Sequence, residues 1–104
     1  MSGSGKVSYV ALFVLQALAQ GYKYGFDIMD ATELPSGTVY PALRRLEALG
    51  FVASAWENET AAHRQNRPRR RNYQLTPAGR RQLAVAEARY RAVSKLFPSR
   101  RSSS

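Results

Sequence analysis

Leu34-Pro35-Ser36-Gly37-Thr38-Val39-Tyr40-Pro41-Ala42-Leu43-Arg44-Arg45-Leu46-Glu47-Ala48-Leu49-Gly50-Phe51-Val52 holds a helix with one apolar and one polar edge, and runs from it directly into a strand. Val39, Leu43, Leu46 and Leu49 recur at spacings of four, three and three, which places them on one inward stripe. Gly37, Thr38, Pro41, Arg44, Arg45 and Ala48 fall outside it. Ser36 and Thr38 are both able to cap the start. With Ser36 as cap, Pro41 forgoes a bond to the Gly37 carbonyl and its ring presses on that carbonyl; with Thr38 it falls in the first turn, where no partner is lost. Gly50 ends the helix, and Phe51 to Trp56 reads as a strand.

Downstream, Arg67-Pro68-Arg69-Arg70-Arg71-Asn72-Tyr73-Gln74-Leu75-Thr76-Pro77-Ala78-Gly79-Arg80 supplies the counterpart. Arg71 to Leu75 alternates as a second strand with Tyr73 and Leu75 facing the core. Glu57 to Arg69 shows no apolar periodicity, so two antiparallel strands joined by a basic loop are expected. The five arginines from 64 to 71 are either a solvated loop or a set of phosphate or minor-groove contacts. Pro68 stiffens the tip, which favours contacts by Arg67, Arg69 and Arg70. Thr76-Pro77 then starts a helix, Thr as cap and Pro at the first position. In it Leu83, Ala86, Tyr90, Val93 and Phe97 repeat at three, four, three and four, a heptad seam. That seam packs either on the first helix of its own chain or on a second copy. Pro98 ends the helix and 98–104 reads as a disordered tail.

Upstream, residues 1–6 have linker composition and read as a loose arm or an expression remnant. From Val7 a helix carries Tyr9, Leu12, Phe13, Gln16 and Ala19 on one face and Val7, Val10, Val14, Leu15 and Leu18 on an adjacent one. Burial on more than one side is therefore expected, with Gly21 as the stop. Tyr22 to Thr32 forms a short second helix with Phe26, Ile28 and Met29 inward and Asp27 and Asp30 in water.

The 104 residues suit one domain with a modest core. A net charge of +9 favours a polyanionic partner. From Thr60 onward eleven Arg and one Lys face a single acid, Glu87. The absence of cysteine excludes a disulfide framework and a thiolate metal site and suits a reducing cytosol. Val7 to Leu18 is too short to span a bilayer, so no membrane partner is expected and the chain reads as cytoplasmic. Catalysis has little foothold: His63 is the one histidine, and no nucleophile–base set, phosphate-binding glycine loop or metal-ligand spacing can be assembled. No catalytic residue, metal or cofactor is expected.

The order helix, helix, polar-faced helix, strand, basic loop, strand, long helix resembles the PadR family of bacterial transcriptional regulators, over roughly Val7 to Leu83. The resemblance implies a mostly α fold with a two-stranded β-wing: a winged helix-turn-helix at 7–76 and a C-terminal dimerisation helix at 77–97. Its implied function is a sequence-specific, homodimeric DNA-binding regulator, a repressor on an inverted-repeat operator, released by a small aromatic effector near the dimer interface. Trp56, Tyr90 and Phe97 are candidates to line an effector site, with core or interface packing as their simpler role. The DNA-binding set is Tyr24, Ser36, Gly37, Thr38, Tyr40, Arg44, Arg45, Arg67, Arg69 and Arg70, and the dimer set is Leu83, Ala86, Tyr90, Val93 and Phe97. The family pattern His-Gly-Tyr, whose glycine lets the helix end approach a phosphate, is here Tyr24-Gly25-Phe26, which leaves Tyr24 to offer the hydroxyl. Asn66 stands where the family has glycine, and Asn tolerates the positive φ such a turn needs. The competing reading is a sequence-indifferent nucleic-acid or protein-docking module on the same fold.

Overall fold

The computed structural model describes residues 8–96; the expected arm at 1–6, Val7, Phe97 and the expected tail at 98–104 lie outside them. Ser8 opens α1 (Tyr9–Ala19), its Oγ accepting the Ala11 N–H at 3.1 Å, one of the donors a helix start leaves unpaired. Leu12, Val14, Leu15 and Leu18 are all buried, because α1 is the central rod: α2, α3, α5 and the second strand all pack on it. Gly21, at φ 104°, turns the chain after it.

In α2 (Gly25–Thr32) the expected inward set is only partly right. Ile28 is fully buried and Met29 packs on the core, while Phe26 is 72% exposed. At 100° per residue, Ile28 lies about 200° round the helix from Phe26, so both cannot face the core. Glu33, in the left-handed region at φ 61°, swings the chain into α3 (Ser36–Ala48). Here Pro35 is the N-cap and no side chain caps the start, so neither Ser36 nor Thr38 does the work expected of it. Pro41 consequently lies inside the helix, where it offers no N–H to the Gly37 carbonyl. Val39, Leu43 and Leu46 form the buried stripe, each contributing about 1.5–3 kcal/mol by burial. Leu49 does not continue it: it is the C-cap residue, and exposed. The chain reverses there through Gly50 at φ 84°, with the Phe51 N–H donating to the Leu46 carbonyl at 2.9 Å and Gly50 to Glu47 at 3.0 Å.

β1 (Val52–Trp56) and β2 (Arg71–Leu75) pair antiparallel, Val52 opposite Leu75 and Trp56 opposite Arg71. Val52 and Tyr73 are buried. The Tyr73 N–H donates to Lys23 O at 2.8 Å and Tyr24 bridges Asn72, so the wing is stitched to the segment leading into α2. The connection between the strands was expected as an open loop but contains a helix, α4 (Glu59–Arg64), with Ala62 buried. Asn58 Oδ1 accepts the Thr60 N–H at 2.6 Å at its start, and Asn66 at φ 56° closes its end.

Thr76 starts α5 (Pro77–Ser94) as expected, its Oγ1 accepting the Gly79 N–H at 3.0 Å and donating to Gly50 O at 2.6 Å. Gly79 sits so close to the Phe51 carbonyl that a Cβ has no room. The helix ends at Ser94, short of the expected 97. No helix among the described residues is long and apolar enough to cross a membrane.

Candidate nucleic-acid interface

The first turns of α3 present Ser36 and Gly37 to solvent, with Thr38 half-buried and Tyr40 partly exposed. Tyr40's ring lies against Gly25, filling the space a Cβ would need. In this chain the glycine at the start of α2 therefore makes room for an aromatic ring of its own fold. Arg44 and Arg45 diverge, as consecutive helical residues must. Arg44 is exposed, and its charge acts weakly on the Tyr73 phenol of β2, whose pKa burial nevertheless pushes up. Arg45 instead lines a cleft of about 480 Å³ between α1, α3 and α5, together with Arg89 and Tyr90. Of the two, only Arg45 lines that cleft.

The wing arginines are unequal. Glu57, at the end of β1 with a side chain only 9% exposed, receives Arg67 Nη1 at 2.6 Å and Nη2 at 2.8 Å. It also accepts the Arg70 N–H at 2.6 Å, and its own N–H donates to Arg70 O at 2.7 Å. The Arg67 hydrogen bond, aided by the Arg70 N–H and both positive charges, holds the Glu57 carboxyl down to about 2 against burial. Arg67 Nε donates to Gln65 as well, so its guanidinium is consumed inside the wing. Arg67 thus differs from the arginines with which it was grouped, which are held less tightly: Arg69 Nε donates to the Glu57 carbonyl at 3.2 Å. Arg70 lies over the Tyr24 ring at 4.3 Å, and its Nε is 3.6 Å from Glu57. Arg69 and Arg71 flank the Trp56 ring at 5.7 and 5.2 Å.

Sequence reasoning missed three residues. Arg71 reaches from β2 to Ser54 Oγ at 3.0 Å, and Ser54 Oγ donates to Glu47 of α3 at 2.6 Å, which ties the wing to the helix beside it. The cross-strand pairing of Trp56 with Arg71 was the available signal. Glu57 was detectable as an acid bordering an arginine cluster. Phe26 was assigned to the core. Together α2, α3 and the wing border an open cleft of about 300 Å³ whose walls include Tyr24, Phe26, Tyr40, Arg69 and Arg70, with no carboxylate lining it.

On α5, Leu83 (8% exposed) and Ala86 (6%) belong to the core of their own chain, so the first half of the expected seam is covered without a partner. Tyr90 remains 44% exposed and meets Tyr9 edge-on at 5.6 Å. Val85, Ala88, Arg89, Ala92, Val93 and Leu96 border an open apolar surface beside it. Trp56 lies on the wing, away from this end of the molecule. His63 is exposed on α4. Among the described residues no group of three His, Cys, Asp or Glu side chains is placed to hold a metal.

Comparison with known proteins agrees with this architecture. A PadR family transcription regulator from Clostridium difficile superposes with a TM-score of 0.75 at 26% identity, covering 86% of this chain and 95% of its own. A transcriptional regulator from Clostridium thermocellum gives 0.70 at 27%, covering 86% and 89%. Bordetella bronchiseptica BpsR, whose DNA binding is regulated by 6-hydroxynicotinic acid, gives 0.71 at 22%, covering 88% and 65%, a likeness of fold. None of the curated proteins matches the chain. The model of the transcriptional regulator PadR-like family matches residues 14–85. That match takes in the second half of α1, all of α2, the polar-faced α3, the arginine wing and the base of α5, and the chain belongs to the PadR-like family of transcriptional regulators, winged-helix proteins rather than enzymes.

Proposed function

We propose that this chain is a homodimeric repressor that reads an inverted-repeat operator in double-stranded DNA, with α3 in the major groove and the wing on the flanking backbone. The observation that carries the reading is that Tyr40, from the first turns of the uncapped α3, lines one cleft with the wing arginines 69, 70 and 71. Ser36, Gly37 and Thr38 permit close approach to base edges, Tyr40 and Arg44 supply donors, and Tyr24 and Arg70 meet the backbone together. Binding to the chain's own promoter fragment and to random duplex, measured at one salt concentration, tests it. Equal affinities would favour the sequence-indifferent docking module.

The second copy is assigned to the distal half of α5. Val85, Arg89 and Ala92 are spaced by four and three residues, Leu96 follows in the turn after the helix, and Ala88 and Ala92 allow another helix to approach closely. Tyr90 and Val93 border that face, and Leu83 and Ala86 support it from beneath. The effector is assigned to the cleft that Tyr9, Tyr90, Arg45 and Arg89 share. Its two guanidinium groups and T-shaped tyrosine pair suit a small aromatic acid, the class to which the regulator of BpsR belongs. A ligand there touches α1, α3 and α5 at once.

A further inference from the structure

Phe26 is the anomaly of α2. Ile28 is fully buried and Met29 half-buried, while Phe26, one residue inside the helix, leaves 72% of its surface in water. The ring is one wall of the 300 Å³ cleft opposite the wing. The other walls are guanidinium groups and aromatic faces: Arg70 lies over Tyr24, and Tyr40 is seated against Gly25. A ligand that fits must be anionic on one side and apolar on the other, and the cleft is open to solvent rather than enclosed. One nucleotide unit of a DNA backbone meets that description, since its phosphate is charged and its deoxyribose presents carbon-bound hydrogens.

We propose that this cleft seats a single backbone nucleotide of bound DNA, the phosphate at Arg69 and Arg70 and the deoxyribose against the Phe26 ring. This rests on the DNA-binding reading above and adds to it an apolar contact that carries no sequence information. Phe26 is then a positioning residue for the duplex. Its ring sets how deep the backbone lies between α2 and the wing, and so where the start of α3 meets the base edges. Such a contact strengthens binding equally at every ionic strength, because it releases no counterions, whereas a phosphate contact by Arg70 steepens the salt dependence.

The test uses a mixed-sequence duplex of about 30 bp, long enough for two half-sites one turn apart, titrated by fluorescence anisotropy over a series of KCl concentrations. Phe26→Ala is expected to bind about tenfold more weakly, with a slope of log K against log salt parallel to the wild type, as loss of an aromatic contact area requires. Phe26→Leu is expected to retain most of the affinity, and Arg70→Ala to make the slope shallower by about one. Melting temperatures of both Phe26 variants should match the wild type, since the ring is exposed. Wild-type affinity in Phe26→Ala, a changed slope or a lowered melting temperature would each overturn the assignment. Wild-type protein that fails to bind the duplex would instead bring down the DNA-binding reading itself.

Discussion

Glu57 holds Arg67 through two parallel contacts, at 2.6 and 2.8 Å, just beyond the Trp56–Arg71 end of the strand ladder. The folded Glu57 carboxyl titrates at about 2 against its usual 4.5, so its contribution to stability is complete above about pH 4.5, shrinks below it and is gone near pH 2. Thermal melts from pH 6 down to about 2 should show this acid limb weakened in Glu57→Gln, which cannot lose the same charge. An unchanged limb in the variant would place the acid sensitivity elsewhere.

Arg67 and Arg70 should separate in binding experiments. Arg70→Ala is expected to lower the salt slope by about one unit while the melting temperature stays near the wild type. Arg67→Ala is expected to lower the melting temperature and leave the slope almost unchanged, since its guanidinium is already paired. Equal slopes for wild type and Arg70→Ala would argue against a backbone role for the wing.

The two arginines of α3 make a similar pair. Arg44→Ala should cost about 1–3 kcal/mol of discrimination between promoter and random duplex, the scale of one bidentate arginine–base contact. Arg45→Ala should leave that discrimination intact, because Arg45 lies in the cleft with Arg89. Competition binding at fixed salt measures both, and the reverse ranking would require α3 to enter the groove rolled by about 100°.

Glycine-to-alanine replacements test the packing. Gly37 has nothing near its missing Cβ, whereas Gly25 faces the Tyr40 ring and Gly79 the Phe51 carbonyl. Helix propensity alone would have alanine stabilise all three. The expectation is a melting temperature unchanged or raised for Gly37→Ala and lowered for the other two, by about 1–3 kcal/mol of overpacking. Of the pair, Gly79→Ala should fall further, since a backbone carbonyl yields less than a ring.

For the dimer, Ala92→Asp is expected to give a folded monomer with much weaker operator binding, as two half-sites no longer act together. Sedimentation of the wild type and the variant reads the outcome. Wild-type protein that sediments as a monomer at tens of micromolar, a concentration ordinary dimers survive, would remove the α5 interface.

The elements that proved legible are those written in local periodicity or local chemistry. Val39, Leu43 and Leu46 announce their stripe by spacing, Gly50 and Thr76 announce a stop and a start, and Tyr73 betrays its strand by alternation. α4 stayed hidden because six residues hold too little apolar pattern, although Asn58 before Glu59 is a readable cap. Leu49 failed as a core residue because the chain turns one residue too early for it. The pairing of Arg67 was not legible because its partner is ten positions away and is brought to it only when the strands pair. Arg45 and Leu83 depended on which neighbour claims a helix face, a question settled by the packing of α1 against α3 and α5. Phe26 shows the same limit from the other side: its hydrophobicity suggested burial, and one residue of helix phase decided otherwise.

At Gly79 the backbone of α5 rests directly on the carbonyl of Phe51, and Thr76 pins Gly50 from the same turn. At Gly79 the contact between the helix that would face a second copy and the segment that follows α3 is backbone to backbone. Were two copies joined through α5 as proposed, the pair would work as calipers with stiff arms. A few degrees of rotation at the pivot become a change in jaw width at the far end, with each arm undeformed. The spacing of half-sites that such a pair would accept would then be a property of the pivot, and a molecule wedged beside it would change that spacing without touching the jaws.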